Sequence, residues 1–313
     1  MNFQQLRSIR EAIRHSFNLT EAANAMFTSQ PGVSRQIREL EEELGVQIFE
    51  RQGKRLTGLT DPGRGIVPLV ERLLLDAENL KRASADFIAQ QTGRLTVATT
   101  HTQGRYVLPP VVKQFKQRYP NVKLVLQQSS PQDIVALLRS GEADIGIATE
   151  ALEGLEELLN FPCYQWHHVV LVPKGHPLTQ QPLSAQSLAQ YPLITYDSGL
   201  SGRSRIDEAF TQLQIKPDIV LSAMDADVIK TYVEAELGVG IIAEMAFDQK
   251  KDTDLEAIDA GHIFATNTTR LAIRRGAYLR NYAYQFIECF SPSLTRRFIE
   301  QARRQEQSSH YDI

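Results

Sequence analysis

Gln30, Ser34, Arg35 and Arg38 fall on one face of a helix that the sequence marks out before Gly45. Glutamine and arginine can each make paired hydrogen bonds to base edges, and serine and arginine also hold phosphates. Such a face suits a recognition helix in a DNA major groove. The opposite face carries Val33, Ile37, Leu40 and Leu44 at steps of four, three and four, the spacing of a buried stripe. Thr28 and Ser29 supply the start signal, and Gln30 and Pro31 the first turn, where proline lacks a donor the helix would leave unpaired anyway. Gly45 supplies the stop. Ahead of it, Thr20 reads as the cap of a preceding helix packed with Ala22, Ala23, Ala25 and Met26. Beyond it, Val46, Ile48 and Phe49 read as a short strand, and Gly53 stands at the tip of a hairpin among Arg51, Lys54 and Arg55. Those cations suit phosphates or the minor groove. A single arginine on an outward face is usually only solvated, whereas the ordered set from Thr28 to Arg55 favours DNA binding.

The elements that must position this face are also written in the chain. Residues 1–16 form an amphipathic helix with Phe3, Leu6, Ile9 and Ile13 inward. Asp61 and Pro62 open a long helix as cap and first residue. Along it Ile66, Val70, Leu73, Ala77, Leu80, Ser84 and Phe87 alternate steps of four and three, a heptad seam. On a helix between two domains, that seam points to pairing of two chains rather than to a buried core helix. Pro68 removes a backbone bond from its first turns. Residues 90–93 read as a hinge, and from Arg94 strands alternate with helices. The expected strands are 95–99, 123–127, 144–148, 169–172, 193–196, 219–222 and 238–243, and the expected helices 107–119, 131–140, 204–213 and 227–237. This alternation predicts a mostly parallel sheet covered on both faces.

Ligands in such folds bind at the carboxyl ends of strands, where helix N-termini point. Three of those ends carry neutral hydrogen-bonding groups: Thr99-Thr100-His101-Thr102-Gln103, Thr149, and Ser198 to Gly202 ahead of Arg203 and Ser204. Hydroxyls, an amide and free backbone N–H groups at helix starts make an anion site without a formal counter-charge. Each threonine or serine alone is better read as a helix cap. Three such ends in one domain favour a small tetrahedral oxyanion or a carboxylate-bearing ligand. The adjacent His167 and His168 point to opposite faces of a strand, a poor chelate.

The 313 residues are 42% hydrophobic, enough for more than one core. A net charge of −3 implies no general affinity for polyanions, so DNA binding must rest on local clustering and on pairing of two modules. Cys163 and Cys289 lie far apart without metal-ligand spacing and read as reduced core thiols; no metal site, cofactor or catalytic residue is expected. The N-terminus does not read as a signal peptide and no apolar run is long enough to span a membrane, so the expected location is the cytoplasm. An enzyme acting on small sulfur compounds would need a nucleophile–base pair, a phosphate loop or a metal cluster. Gly238-Val239-Gly240 is a weak glycine pattern lacking the third glycine of a dinucleotide fingerprint.

The stretch from Thr28 to Leu44, then Leu44-Gly45 and Phe49-Glu50-Arg51, resembles the N-terminal signature of the LysR-type transcriptional regulators. Thr99–Gln103 with Arg105-Tyr106, Ala148-Thr149-Glu150, residues 191–196, Gly202-Arg203-Ser204 and residues 225–232 (DADVIKTY) look like the CysB/Cbl branch of that family, which governs sulfur assimilation and sulfonate use. The resemblance implies an all-α winged helix-turn-helix N-terminal domain plus linker helix, then an α/β two-lobed effector domain like the periplasmic binding proteins. The corresponding segments are 1–59 (helix-turn-helix about 19–38), 60–92 and 93–313. Lobe I would take about 93–162 and 266–295, and lobe II about 163–265. Crossovers near residues 161–164 and 264–268 would put Cys163 in a hinge. The implied effector-binding residues are Thr100, Thr102, Gln103, Thr149 and Ser201, with Trp166 and residues 225–227 nearby. Sulfate, thiosulfate, an acetylserine or adenosine phosphosulfate is the implied effector. The implied partners are double-stranded promoter DNA, further copies of the chain (a dimer through the linker helix, assembling to a homotetramer) and RNA polymerase. The chain departs from the branch pattern at Gly104, where alanine is usual, and at Ser201, where threonine is. Ser201 keeps the hydroxyl but loses a methyl, which leaves effector preference open. The alternatives are a family regulator with a different small-molecule effector and, more remotely, a solute-binding protein. The tail after Pro292 reads as a terminal helix or a mobile arm.

Overall fold

A computed structural model describes residues 1–53, 55–88, 92–200 and 202–309, and their side chains except those of 85–88 and 305–309. The chain divides into two units, of which the first holds Met1–Ile88. In α1 (Phe3–Arg14), Asn2 and Gln5 cap reciprocally, and Leu6, Ile9 and Ala12 are buried. Phe3, read as inward, is 54% exposed: periodicity assigns its face but not how far the core reaches along the helix. The cap of α2 (Leu19–Ala25) is Asn18, not Thr20. Its Oδ1 accepts from the N–H groups of Thr20 and Glu21 at 3.1 and 3.3 Å, which places Thr20 inside the first turn. Ser29 caps α3 (Gln30–Leu44), and Gly45 ends it in the left-handed region. Val33, Ile37 and Leu40 are fully buried, whereas Leu44 is 41% exposed past the end of the stripe.

The hairpin β1 (Phe49–Gln52) and β2 (Arg55–Leu59) pairs antiparallel, so this module is helical apart from one two-stranded ribbon. It leads into α4 (Asp61–Ile88). The cap there is Thr60 rather than Asp61: the Thr60 hydroxyl accepts from the Gly63 N–H at 3.0 Å, while Asp61 pairs with Arg64. The helix start lies so close to the strand that a Cβ on Gly63 would sit 2.0 Å from the Ile48 carbonyl oxygen. The expected seam along α4 divides in two. Val70 is buried and Ile66 half-buried in the core of the module, together with Leu74, whereas Leu73 and Leu80 are 44% and 73% exposed. The side chain of Phe87 lies outside the described residues. Pro68 is exposed within a helix that runs on to Ile88.

The second unit is built of two lobes. The first begins with β3 (Gly93–Thr99), a π-helical turn (Gln103–Val107), α5 (Leu108–Arg118), β4 (Val122–Gln128), α6 (Pro131–Ser140), β5 (Ile145–Ala148) and β6 (Leu158–Trp166). The second lobe holds β7 (His168–Pro173), α7 (Ala185–Leu188), β8 (Leu193–Tyr196), α8 (Arg203–Gln212), β9 (Ile219–Ala223), α9 (Ala226–Glu234), β10 (Val239–Ala243) and β11 (Leu255–Asp259). The chain then returns through β12 (Asn267–Arg274), α10 (Asn281–Phe290) and α11 (Arg296–Ser309), so the tail is a helix. The sheets run β4-β3-β5-β12-β6 and β11-β7-β10-β8-β9. Both are mixed rather than mostly parallel: β12 lies antiparallel to β5 and β6, and β7 antiparallel to β10 and β11. The cause is the double crossing, which brings strands back against the direction of the βα units. The first crossing sits at His167, between β6 and β7, and not at 161–164. Cys163 therefore lies within β6, where burial pushes its thiol up to about 11.

Gly63→Ala should cost about 3 kcal/mol, because the methyl group meets backbone on a helix start that cannot retreat. Urea unfolding of the variant checks it; a midpoint equal to that of the parent would mean that the helix start yields.

Candidate DNA interface and effector site

On α3 the side chains of Gln30, Pro31, Arg35 and Arg38 are exposed, as are Thr28 and Ser29 just ahead; Ser34 is half-buried. Arg35 Nε donates to Glu39 at 2.7 Å, and that bond holds the Glu39 carboxyl below its ordinary range. Arg38 Nη2 donates to Ser34 Oγ at 3.4 Å. Exposed i,i+4 pairs of this kind are weak and exchange readily for a phosphate or a base edge.

In the hairpin, Arg55 is exposed beside the tip residue Gly53, and Lys54 lies outside the described residues. Arg51 has a different task. Its Nη2 donates to the buried Glu41 carboxylate at 2.7 Å, and the other carboxylate oxygen accepts from the N–H groups of Ile48 and Phe49 at 2.8 and 3.1 Å. Glu41 projects from the recognition helix, so this buried knot ties the wing to the helix that would read bases. Arg51, expected among the wing cations that face DNA, thus also serves the module's own core and is only partly exposed. A glutamate is buried here because its bond partners satisfy it.

In the second unit, β3 and β5 are parallel neighbours with Thr99 beside Ile147, and β12 runs back beside β5 with Arg270 opposite Ala148. This register brings Thr100, Thr149 and Thr269 to one sheet edge. Thr100, Thr102 and Gln103 are buried, and Thr149 is half-buried. Gln103 and Trp166 are not open donors. Gln103 Nε2 and Trp166 Nε1 both donate to Thr269 Oγ1 at 3.1 Å, and Tyr164 donates to Gln103 Oε1. Burial pushes the Tyr164 phenol up to about 12. Thr102 lies against the buried Tyr196 hydroxyl. Ser201 lies outside the described residues. Three polar atoms near this edge are buried without a protein partner: Thr99 Oγ1, His101 Nδ1 and Glu150 Oε2. Buried polar atoms are otherwise nearly always satisfied, so an unpaired set at strand ends marks a place for a polar guest.

Two contacts close the lobes on each other here. The Gly202 N–H, at the start of α8, donates to Glu150 Oε1. Tyr106, on the π-helical turn, packs into the core of the second lobe and donates to Asp227 at 2.8 Å, with Arg105 on the other oxygen at 3.1 Å. Lys230 stands over the Tyr106 ring at 5.3 Å and pairs with Asp252. Burial raises the Asp227 carboxyl, but the bonds from Tyr106 and Arg105 and the charges of Arg105 and Lys230 outweigh it and hold the group below its ordinary range. Burial alone dominates at Glu150 and raises its carboxyl. Among the described residues no cluster of histidine, cysteine and carboxylates is placed to hold a metal ion, and no helix is long and apolar enough to cross a membrane.

A reading helix tied to a wing, joined in one chain to a two-lobed ligand domain, defines a transcriptional regulator governed by a small molecule. Residues 3–64 match the bacterial regulatory helix-turn-helix protein family, lysR family, and residues 89–295 match the LysR substrate binding domain. The chain is 57% identical over 295 residues to the HTH-type transcriptional regulator SsuR of Burkholderia cenocepacia, covering 94% of this chain and 96% of SsuR. It is 52% identical to CysB of the same organism over 99% of each chain. The cofactor-binding domain of the Cbl transcriptional regulator matches with a TM-score of 0.65 and 48% identity, over 67% of this chain and 93% of that one. The chain belongs to the LysR family, in the sulfur branch that holds these regulators, and is not an enzyme.

Glu41→Gln should destabilise the module by about 3 kcal/mol, since it removes one partner of a buried ion pair and sets an amide NH2 donor against the Arg51 guanidinium. Urea unfolding measures this. Stability equal to the parent would show that the wing is held by packing alone.

Proposed function

We propose that the chain is a cytoplasmic regulator of sulfur-assimilation, cysteine-biosynthesis or sulfonate-utilisation genes, switched by a small sulfur-related anion at the carboxyl ends of β3 and β5. The observation that carries the effector reading is the unpaired buried set of Thr99 Oγ1 and His101 Nδ1 at that edge, beside the Thr100 side chain. Sulfate, thiosulfate, an acetylserine and adenosine phosphosulfate each offer acceptor oxygens to such donors. For DNA, the support is the exposed Gln30, Arg35 and Arg38 face with Arg55 on the wing. Leu69, Leu73 and Leu80 form an exposed apolar ridge on α4, which favours pairing through that helix, with a tetramer as the full assembly and RNA polymerase as the partner at the promoter.

The switch then follows from linkage. An effector that binds one arrangement of the lobes better than another shifts the assembly toward it, and with it the spacing of the paired wings on DNA. Arg35→Ala should weaken specific promoter binding by about tenfold, the discrimination of one base contact, and leave sulfate affinity unchanged. Equal promoter affinity in a gel-shift titration would remove Arg35 from the reading face. Thr100→Val should lower sulfate affinity in calorimetry without affecting promoter binding at zero effector; unchanged affinity would move the effector away from this strand end.

A further inference from the structure

The N-terminus of α8 faces the first lobe without a cap of its own. Gly202 stands at its cap position with φ of 74°, and a Cβ there would lie 2.5 Å from Asn267 Oδ1. The serine, threonine or aspartate that usually caps a helix is therefore excluded from this position. The acceptor comes instead from the opposite lobe. Glu150, two residues past the end of β5, reaches across to the Gly202 N–H. The positive end of a ten-residue helix is where an anion would settle, and the chain has placed a carboxylate of its own there.

That carboxylate is poorly matched to the position. One oxygen has the Gly202 N–H, while Oε2 is buried with no partner. Among the described residues the cation acting on it is Arg205 of α8, itself bonded to Glu208. A carboxylate with one oxygen buried and unpaired is costly to keep charged.

We propose that Glu150 is a built-in counter-ligand: its carboxylate holds the α8 N-terminus and competes, by charge and by position, with any anionic effector. This rests on the anionic-effector reading above. A dianion entering at the strand ends meets the Glu150 charge within the same closed seam. It gains the helix end only by displacing that carboxylate or by finding it neutral. Glu150 is thus a specificity-determining residue that raises the effector concentration needed for the switch.

The test is calorimetric titration of the full chain with sodium sulfate and with sodium thiosulfate, comparing the parent with Glu150→Gln and Glu150→Ala. Both variants should bind sulfate about tenfold more tightly, since a like charge a few ångströms away is removed from a partly desolvated site. A damaged fold loses affinity, so a gain cannot come from misfolding. Equal or weaker binding by either variant, with the parent still binding sulfate, overturns the role of Glu150 and leaves the anionic-effector reading in place. If none of the three proteins binds either anion, that reading falls and the counter-ligand with it.

Discussion

The buried N–H groups of Ile48 and Phe49 share one acceptor, the Glu41 carboxylate, and the geometry of the DNA-binding unit depends on that bond. Each buried donor left without an acceptor would cost on the order of 1–3 kcal/mol, which is a large part of the stability of a small module. Because Glu41 sits on the recognition helix and its partners sit on the strand, satisfying the donors also fixes the wing. The guanidinium of Arg51 completes the knot, neutralising a charge that burial would otherwise make prohibitive. A residue that polarity alone would assign to solvent thus sets where the exposed reading face lies relative to the hairpin.

The same requirement, an acceptor for every buried donor, organises the ligand domain, where it is met both by a returning strand and across lobes. Thr269 serves the donors of Gln103 and Trp166 from a strand that returns to the first lobe after the chain has built the second. Asp227 serves Tyr106, and Glu150 serves Gly202. Of the interlobe contacts, the exposed Arg105–Asp227 pair contributes little, while the half-buried Tyr106 bond, with a ring packed into the opposite core, carries the closure. Tyr106 lies three residues after Gln103 on a π-helical turn, a geometry that recurs at functional sites. A guest that shifts the Thr100–Gln103 strand end therefore pulls on the residue that holds the lobes together.

Much of this was legible from local pattern. The helix Pro131–Ser140 and the strand Leu193–Tyr196 were bounded correctly because a cap, a proline and a compact apolar run each act over a few residues. The strand ends with Thr100 and Thr149 were legible for the same reason. The long strands β6 and β12 were not, since a proline at 162 and a register shift at Thr269/Arg270 break their alternation. The partners of the site residues were illegible on principle. Gln103 and Thr269 are 166 positions apart, and no local preference reports such a pairing. Nor did the spacing along α4 tell that Val70 turns to the module's own core while Leu73 and Leu80 remain outward, because a heptad pattern is the same for an internal and an intermolecular partner.

The charge distribution decides how such a regulator can find its sites. With a net charge of −3, bulk attraction to DNA is absent, and the knot at Glu41 engages one end of the Arg51 guanidinium. Arg35, Arg38 and Arg55 remain exposed on the module. Each phosphate contact contributes a salt-dependence slope of only about −0.9, so a few cations on one module give weak, salt-sensitive and non-specific binding. Pairing modules doubles that number and, more importantly, imposes a fixed distance between two reading helices. In a paired assembly, discrimination between promoters would rest on base contacts at two half-sites and on their spacing, the quantity that the proposed ligand-driven change in assembly geometry would alter.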